Sequence, residues 1–199
     1  MAKDNDPIEK ACLAVEQWAS TYFSTDCTED RGFLVTVDYS SISLDNPWAG
    51  GQAPLIYQHK DEIKAFLQAI VERDLCDTIV DIGLEYGGTH VLFREIFAKV
   101  ISVEIDLHKV LNFMSKTRID ERSRVICGNS NHRNTVKAVQ DCCGGHHIDV
   151  LFIDGDHSYE QAYNDYILYR DLVRNGGIIA FHDTASRDPS HVDLHVFLT

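Results

Sequence analysis

Five short stretches of this chain end an apolar run in residues equipped for chemistry. They are Asp81-Ile82-Gly83, Glu104-Ile105-Asp106, Cys127-Gly128-Asn129-Ser130, Asp154-Gly155-Asp156-His157 and His182-Asp183. Carboxylates accept hydrogen bonds or hold cations, and imidazoles move protons near neutral pH or bind metals. One such ending is expected by chance in any loop, but five together point to a shared site. Glycines at 83, 87 and 88 let a tight turn bring backbone N–H groups to a ligand at the start of the following helix. Glu104 ends the next apolar run, 16 residues past Gly88, where a carboxylate can accept both hydroxyls of a ribose. Alone it reads as a solvated carboxylate; with the glycine loop, a ribose clamp is the better reading. The spacing Gly-x-x-x-Gly-Gly departs from the Gly-x-Gly-x-x-Gly of dinucleotide folds, which tells against a nicotinamide cofactor.

These residues need a scaffold that brings them together. From residue 59 the pattern is regular. Ile63, Phe66, Leu67, Ile70 and Val71 fall on one face of a helix predicted over 59–75. Apolar strands follow at 78–82, 100–104, 124–127, 149–154 and 177–183, with helices predicted through about 97 and over 107–118, 132–141 and 158–173. Continuous apolar strands alternating with helices imply a parallel sheet buried on both faces. Right-handed crossovers then give an α/β fold, a doubly wound, mostly parallel Rossmann-like sheet with helices on both faces. In such a sheet ligands bind beyond the carboxyl ends of the strands, where the five endings fall.

Residues 1–55 read differently: a helix over 8–23, then a turn-rich arm or cap with one short strand over 33–37. The domain proper is expected over 56–199. The 199 residues carry 18 Lys plus Arg against 31 Asp plus Glu, a net charge of −13. Such a surface repels phosphate backbones, so nucleic acid is not an expected partner. No apolar run approaches the roughly 20 residues that span a bilayer. The charged start Met1-Ala2-Lys3-Asp4-Asn5-Asp6 lacks the apolar stretch of a secretory signal. A cytoplasmic protein with reduced thiols is expected. The run Cys142-Cys143-Gly144-Gly145-His146-His147 has the composition of a metal site. Adjacent Cys side chains rarely reach one tetrahedral ion, and the two glycines read as a turn.

The stretch Asp81-Ile82-Gly83-Leu84-Glu85-Tyr86-Gly87-Gly88-Thr89, with Glu104, resembles the cofactor motif of class I S-adenosylmethionine-dependent methyltransferases. Phe152-Ile153-Asp154-Gly155-Asp156-His157-Ser158-Tyr159, followed by Gly176-Gly177-Ile178-Ile179-Ala180-Phe181-His182-Asp183, is more specific. That pair is similar to the subgroup of cephalosporin hydroxylase-like and macrolide-sugar O-methyltransferase proteins. The resemblance covers about residues 48–183, roughly two-thirds of the chain. It implies that Gly83, Gly87 and Gly88 hold the methionine part of S-adenosylmethionine while Asp81 orders the loop. Glu104 would hold the ribose, with Asn129 and Ser130 near the adenine, Asn129 standing where relatives often carry Asp.

Several relatives place a divalent metal across the fourth and fifth strand ends, which implies Asp154, His182 and Asp183 as ligands. Neighbouring strands lie about 4.8 Å apart, so these groups can converge. Hard oxygens suit Mg²⁺, and a His also permits Mn²⁺ or Fe²⁺; a His-Asp pair equally serves acid–base chemistry. The implied reaction is methyl transfer to the oxygen of a small molecule, a sugar or secondary metabolite. His157 is the expected base and His182 the second candidate, with Asp154 beside them. Asp156 and Ser158 give His157 an alternative role as neighbour of a helix cap. Tyr159, Tyr163, Tyr166 and Tyr169 read as helix-face packing. Only 16 residues follow Asp183, too few for the two further strands that usually finish this sheet. Either the chain is a truncated piece, or the N-terminal arm or a second subunit in a homo-oligomer covers the open edge. A protein of the same fold that binds the cofactor without turnover is the alternative to the enzyme.

Overall fold

A computed structural model describes residues 6–22, 25–27, 35–38, 52–54, 58 and 60–182. In chain order the elements are α1 (Pro7–Tyr22), β1 (Thr25–Cys27), β2 (Val35–Asp38), β3 (Gln52–Pro54), α2 (Lys60–Glu72), β4 (Thr78–Ile82) and α3 (Gly88–Ile96). Then come β5 (Lys99–Glu104), α4 (Leu107–Lys116), β6 (Ser123–Cys127), α5 (Arg133–Cys143), β7 (Ile148–Ile153), α6 (Tyr159–Tyr169) and β8 (Val173–Phe181). The chain forms two units, one of Met1–Asp74 with Glu85–Ile96 and one of Leu75–Leu84 with Phe97–Thr199.

In the first unit, Asp6 starts α1 by accepting the Ile8 N–H at 2.9 Å. One face of that helix buries Ile8, Ala11, Cys12 and Val15. Phe66 of α2 meets Phe93 of α3 edge to face, ring centres 6.3 Å apart. The turn-rich stretch holds more order than its sequence predicts: β1, β2 and β3 pair antiparallel in that order. Strands of 3 and 4 residues are too short to show a period-two pattern, so only the middle one was foreseeable.

The second unit carries the sheet. Its order is β6-β5-β4-β7-β8, every pair parallel. The chain steps outward from β4 through β5 to β6, then returns to the other side of β4 for β7 and β8. That reversal is the switch point of a doubly wound α/β fold, the architecture expected from the alternation. Every residue of β7 is buried, and so is nearly every residue of β4 and β5, which explains their unbroken apolar character. Each fully buried Ile or Val there contributes about 1.5–3 kcal/mol relative to exposure.

One element boundary departs from expectation. The helix predicted to 173 stops at Tyr169, a 3₁₀ turn covers Arg170–Leu172, and β8 begins at Val173. Its pairing with β7 slips between Ile148 and Val150 before settling at Ile178 opposite Val150. Gly176 (φ +82) lies in the slipped stretch. At this same end Asp149 is buried, accepts the Asp77 and Thr78 N–H groups at 2.6 and 3.1 Å, and pairs with Arg174. Asp183 and the expected loss of the final strands fall outside the described residues.

Candidate functional site

The ladder runs one residue past each central strand. Gly83 donates its N–H to Val103 at 2.9 Å, Gly128 to Glu104 at 2.8 Å, Asp154 to Ile82 at 2.8 Å and His182 to Ile153 at 3.0 Å. The carboxyl edge therefore presents Gly128, Gly83, Asp154 and His182 in spatial sequence. Gly83 has φ +109, and a Cβ built on it would lie 2.1 Å from the Asp154 carbonyl oxygen. Only glycine fits there, for both backbone and space. Gly87 (φ +87) precedes α3, and Gly88 is that helix's first residue; both belong to the first unit.

Asp81 is fully buried in β4. Ser102 of β5 donates to its Oδ2 at 2.7 Å, and Oδ1 has no hydrogen-bond partner among the described residues. Burial pushes its carboxyl well above the ordinary value, opposed by the Ser102 hydrogen bond and reinforced by the charges of Asp154 and Glu104. Three strand-end acids thus share one electrostatic neighbourhood. Glu104 is itself buried, and its Oε1 accepts the Asp106 N–H at 2.9 Å. Asp106 in turn caps α4 by accepting from His108 at 2.7 Å.

Beyond β6, the Asn129 side-chain oxygen accepts the Asn131 N–H at 2.8 Å, an Asx turn that an Asp would make equally well. The amide NH₂ is the only difference between the two residues, so the substitution preserves the loop. The Ser130 carbonyl accepts from the Tyr169 hydroxyl at 2.9 Å. Asn131 donates to Asp165 at 3.0 Å. Neither Asn131 nor Asp165 was foreseen, although a signal existed. Ala162, Asp165 and Tyr169 make up the buried face of α6, so an acid sits at a core position of the helical period.

At the ends of β7 and β8, Asp154, His157 and His182 bring one ligand atom each within 4.8 Å of the others. His182 Nδ1 lies 2.8 Å from Asp154 Oδ1, and the two imidazole rings are 6.2 Å apart. His157, expected as the base and not as a ligand, thus joins Asp154 and His182 of the expected metal group, whose third member Asp183 lies outside the described residues. The Asp156 side chain accepts the Ser158 N–H at 2.8 Å and steadies the turn before α6. Of the four tyrosines of α6, Tyr169 is fully buried, as expected of packing, while Tyr159 and Tyr163 are exposed and stacked on each other at 5.8 Å. Cys142 and Cys143 end α5, and Gly144 closes it in the left-handed region. Among the described residues the metal-capable cluster is Asp154, His157 and His182.

Comparison with known proteins agrees with this geometry. A family model described as a methyltransferase domain matches residues 10–184. The chain belongs to that methyltransferase-domain family. It is similar in fold to a Staphylococcus aureus protein assigned as a caffeoyl-CoA O-methyltransferase (17% identity, TM-score 0.58, 73% of this chain and 75% of that one). The O-methyltransferase TomG of Streptomyces achromogenes, solved with S-adenosylmethionine, matches at 15% identity and TM-score 0.55 over 99% of this chain and 75% of its own. MycE of the mycinamycin pathway, solved with Mg and S-adenosylhomocysteine, matches at 17% and 0.53 over 69% of this chain, which spans 38% of MycE. An uncharacterized protein of Acanthamoeba polyphaga mimivirus is 56% identical over 36 residues, 18% of this chain and 16% of that protein. No helix among the described residues is long and apolar enough to cross a membrane.

Proposed function

We propose that this enzyme methylates a hydroxyl oxygen of a small molecule, a sugar or secondary metabolite, with Asp154, His157 and His182 handling the acceptor. The observation that carries the reading is the Gly83–Asp154 contact, where the absent side chain of one residue makes room for the carbonyl of the other. Gly83, where the loop expected to hold the cofactor begins, is packed against the strand end expected to handle the acceptor. In this reading Gly83 presents backbone to the methionine part, Asp81 stiffens the turn through Ser102, Glu104 accepts the ribose hydroxyls, and Asn129 and Ser130 border the adenine. Gly87 and Gly88 keep the role their motif assigns them.

When bound, S-adenosylmethionine supplies an electrophilic methyl group on a sulfonium. The protein's task is then to hold the acceptor oxygen in line with that group and to take its proton. An imidazole does the second at neutral pH. His182 Nδ1 lies 2.8 Å from Asp154 Oδ1, and in this reading the carboxylate stabilises the ring once it carries the proton. His157 stands across from His182, the two ring centres 6.2 Å apart.

The donor set also fits a divalent ion. Two imidazoles and one carboxylate within 4.8 Å match a borderline transition ion such as Mn²⁺ or Fe²⁺ better than Mg²⁺, which prefers oxygen. Asp154, His157 and His182 would hold it, with Asp183 the further ligand implied by the motif, and it would supply Lewis acidity to the acceptor oxygen. Calorimetry with S-adenosylmethionine, followed by methyl transfer to a panel of hydroxyl acceptors with and without chelator, tests both parts. Binding with transfer to oxygen is expected. Failure to bind at millimolar ligand refutes the cofactor assignment, and transfer only to nitrogen acceptors refutes the acceptor class.

A further inference from the structure

Asp165 makes no contact with Asp154, His157 or His182 in the arrangement above, yet it is an acid at 2% exposure. Its Oδ1 accepts from the Asn131 amide at 3.0 Å. Asn131 also reaches the Ser130 hydroxyl at 3.3 Å, and Tyr169, one turn along α6, holds the Ser130 carbonyl. Oδ2 points the other way: a Cβ built on Gly155 would lie 3.9 Å from it. One carboxylate therefore stands between the Asn129–Asn131 loop and the turn that follows Asp154.

Packing alone gives no reason for an acid here. An uncharged acceptor would satisfy Asn131 equally. Burial raises the Asp165 carboxyl to about 6, against the Ser130 hydrogen bond and with the charge of Asp156 adding to the rise. Tyr169, which also faces it, is itself raised above the ordinary phenol value, by burial and then by Asp165.

We propose that Asp165 is the positioning residue for the adenine end of the cofactor. It fixes Ser130 and Asn131 from the protein side, so that the loop's outer edge is preorganised before ligand arrives. The inference rests on the cofactor reading above and deepens it.

The test is calorimetric binding of S-adenosylhomocysteine and of adenosine to the full chain at pH 7.5, with thermal unfolding alongside. Asp165→Ala is expected to weaken both ligands about tenfold, the loss of one to two positioning hydrogen bonds. Asp165→Asn, which keeps an acceptor for Asn131, is expected to recover affinity to within about threefold. Tyr169→Phe, which deletes only the hydroxyl on Ser130, gives a second reading if the alanine variant does not fold, with an expected loss of three- to tenfold. Affinities equal to wild type in folded Asp165→Ala or Tyr169→Phe overturn the inference. A loss confined to S-adenosylhomocysteine and absent for adenosine also overturns it, since the adenine end would then be unaffected. Wild-type protein that binds neither ligand refutes the cofactor reading itself, which separates the two failures.

Discussion

Replacing Gly83 with Ala sets two separable penalties against the fold. The backbone at φ +109 is one that L-residues rarely adopt, at about 1–3 kcal/mol. The added carbon would also meet the Asp154 carbonyl oxygen at 2.1 Å, and ordinary contact requires β4 and β7 to part by more than about 1 Å. Parting them stretches the bond from Asp154 to Ile82, worth about 1 kcal/mol. Together the loss is roughly 2–4 kcal/mol, a large part of the 5–15 kcal/mol that holds a typical domain. Two companion variants separate the causes. Gly145 has φ +81 with nothing within 4 Å of a built Cβ, so Gly145→Ala isolates backbone strain at about 1 kcal/mol. Gly155 would come nearest the Ile82 side chain, at 3.4 Å, with its other neighbours at ordinary contact, so Gly155→Ala is expected to cost under about 1 kcal/mol. Urea unfolding of the three variants, with S-adenosylhomocysteine calorimetry, reads the series. A Gly83→Ala protein within 1 kcal/mol of wild type would refute the close approach of the two strand ends.

Glu104→Ala should weaken S-adenosylhomocysteine about tenfold or more while leaving the melting temperature nearly unchanged; an unchanged dissociation constant removes the ribose assignment. Asp149→Ala should do the reverse. It leaves two N–H groups and Arg174 without their acceptor, costs about 3–5 kcal/mol in urea unfolding, and leaves ligand affinity of the folded protein intact. The buried acids set a pH dependence of definite sign. Asp165, at about 6 in the folded chain, contributes stability that is full below pH 3.8 and lost as pH rises through 6. Asp165→Asn should therefore raise stability at pH 7.5, by up to about 3 kcal/mol, and flatten the curve between pH 4 and 6. His90, buried in α3 and lowered to about 3 by burial and then by Arg94, acts oppositely. Its contribution is full above pH 6.5 and lost as pH falls toward 3, so His90→Gln should blunt acid unfolding; an unchanged acid midpoint would place the proton uptake elsewhere.

The sheet was legible because its strands are buried on both faces, which removes polar interruptions from the sequence and leaves β4, β5 and β7 as unbroken apolar words. The site was legible for a related reason. Where such a word ends in Asp, Glu or His, the polar residue sits at the carboxyl edge, and the parallel topology gathers those edges. What stayed hidden depends on contacts between distant segments. β1 and β3 owe their pairing to partners rather than to their own pattern, and the early start of β8 follows from its slipped pairing with Ile148. Asp165 reads as one more acid on a polar helix until its face is known to be buried with Ala162 and Tyr169. His157 was expected with Asp154 and His182 for acid–base work but not among the metal ligands, because closeness to a ring 25 residues away in sequence leaves no local trace.

The two edges of the sheet treat buried acids by different rules. At the amino edge Asp149 has every demand met: two backbone N–H donors and a guanidinium surround it. At the carboxyl edge Asp81 keeps one oxygen without a hydrogen-bond partner among the described residues. It also stands within the fields of Asp154 and Glu104, and Asp165 sits raised toward neutrality. Stability alone would favour replacing such groups or pairing them, as it has paired Asp149. Strain that gathers on one edge and is absent from the other marks where folding yields to another requirement. That edge is also the switch point, the one place where a ligand can reach strands from both halves of the sheet. In the proposed cofactor reading, a ligand carrying a positive sulfonium would set a cation beside this crowded charge.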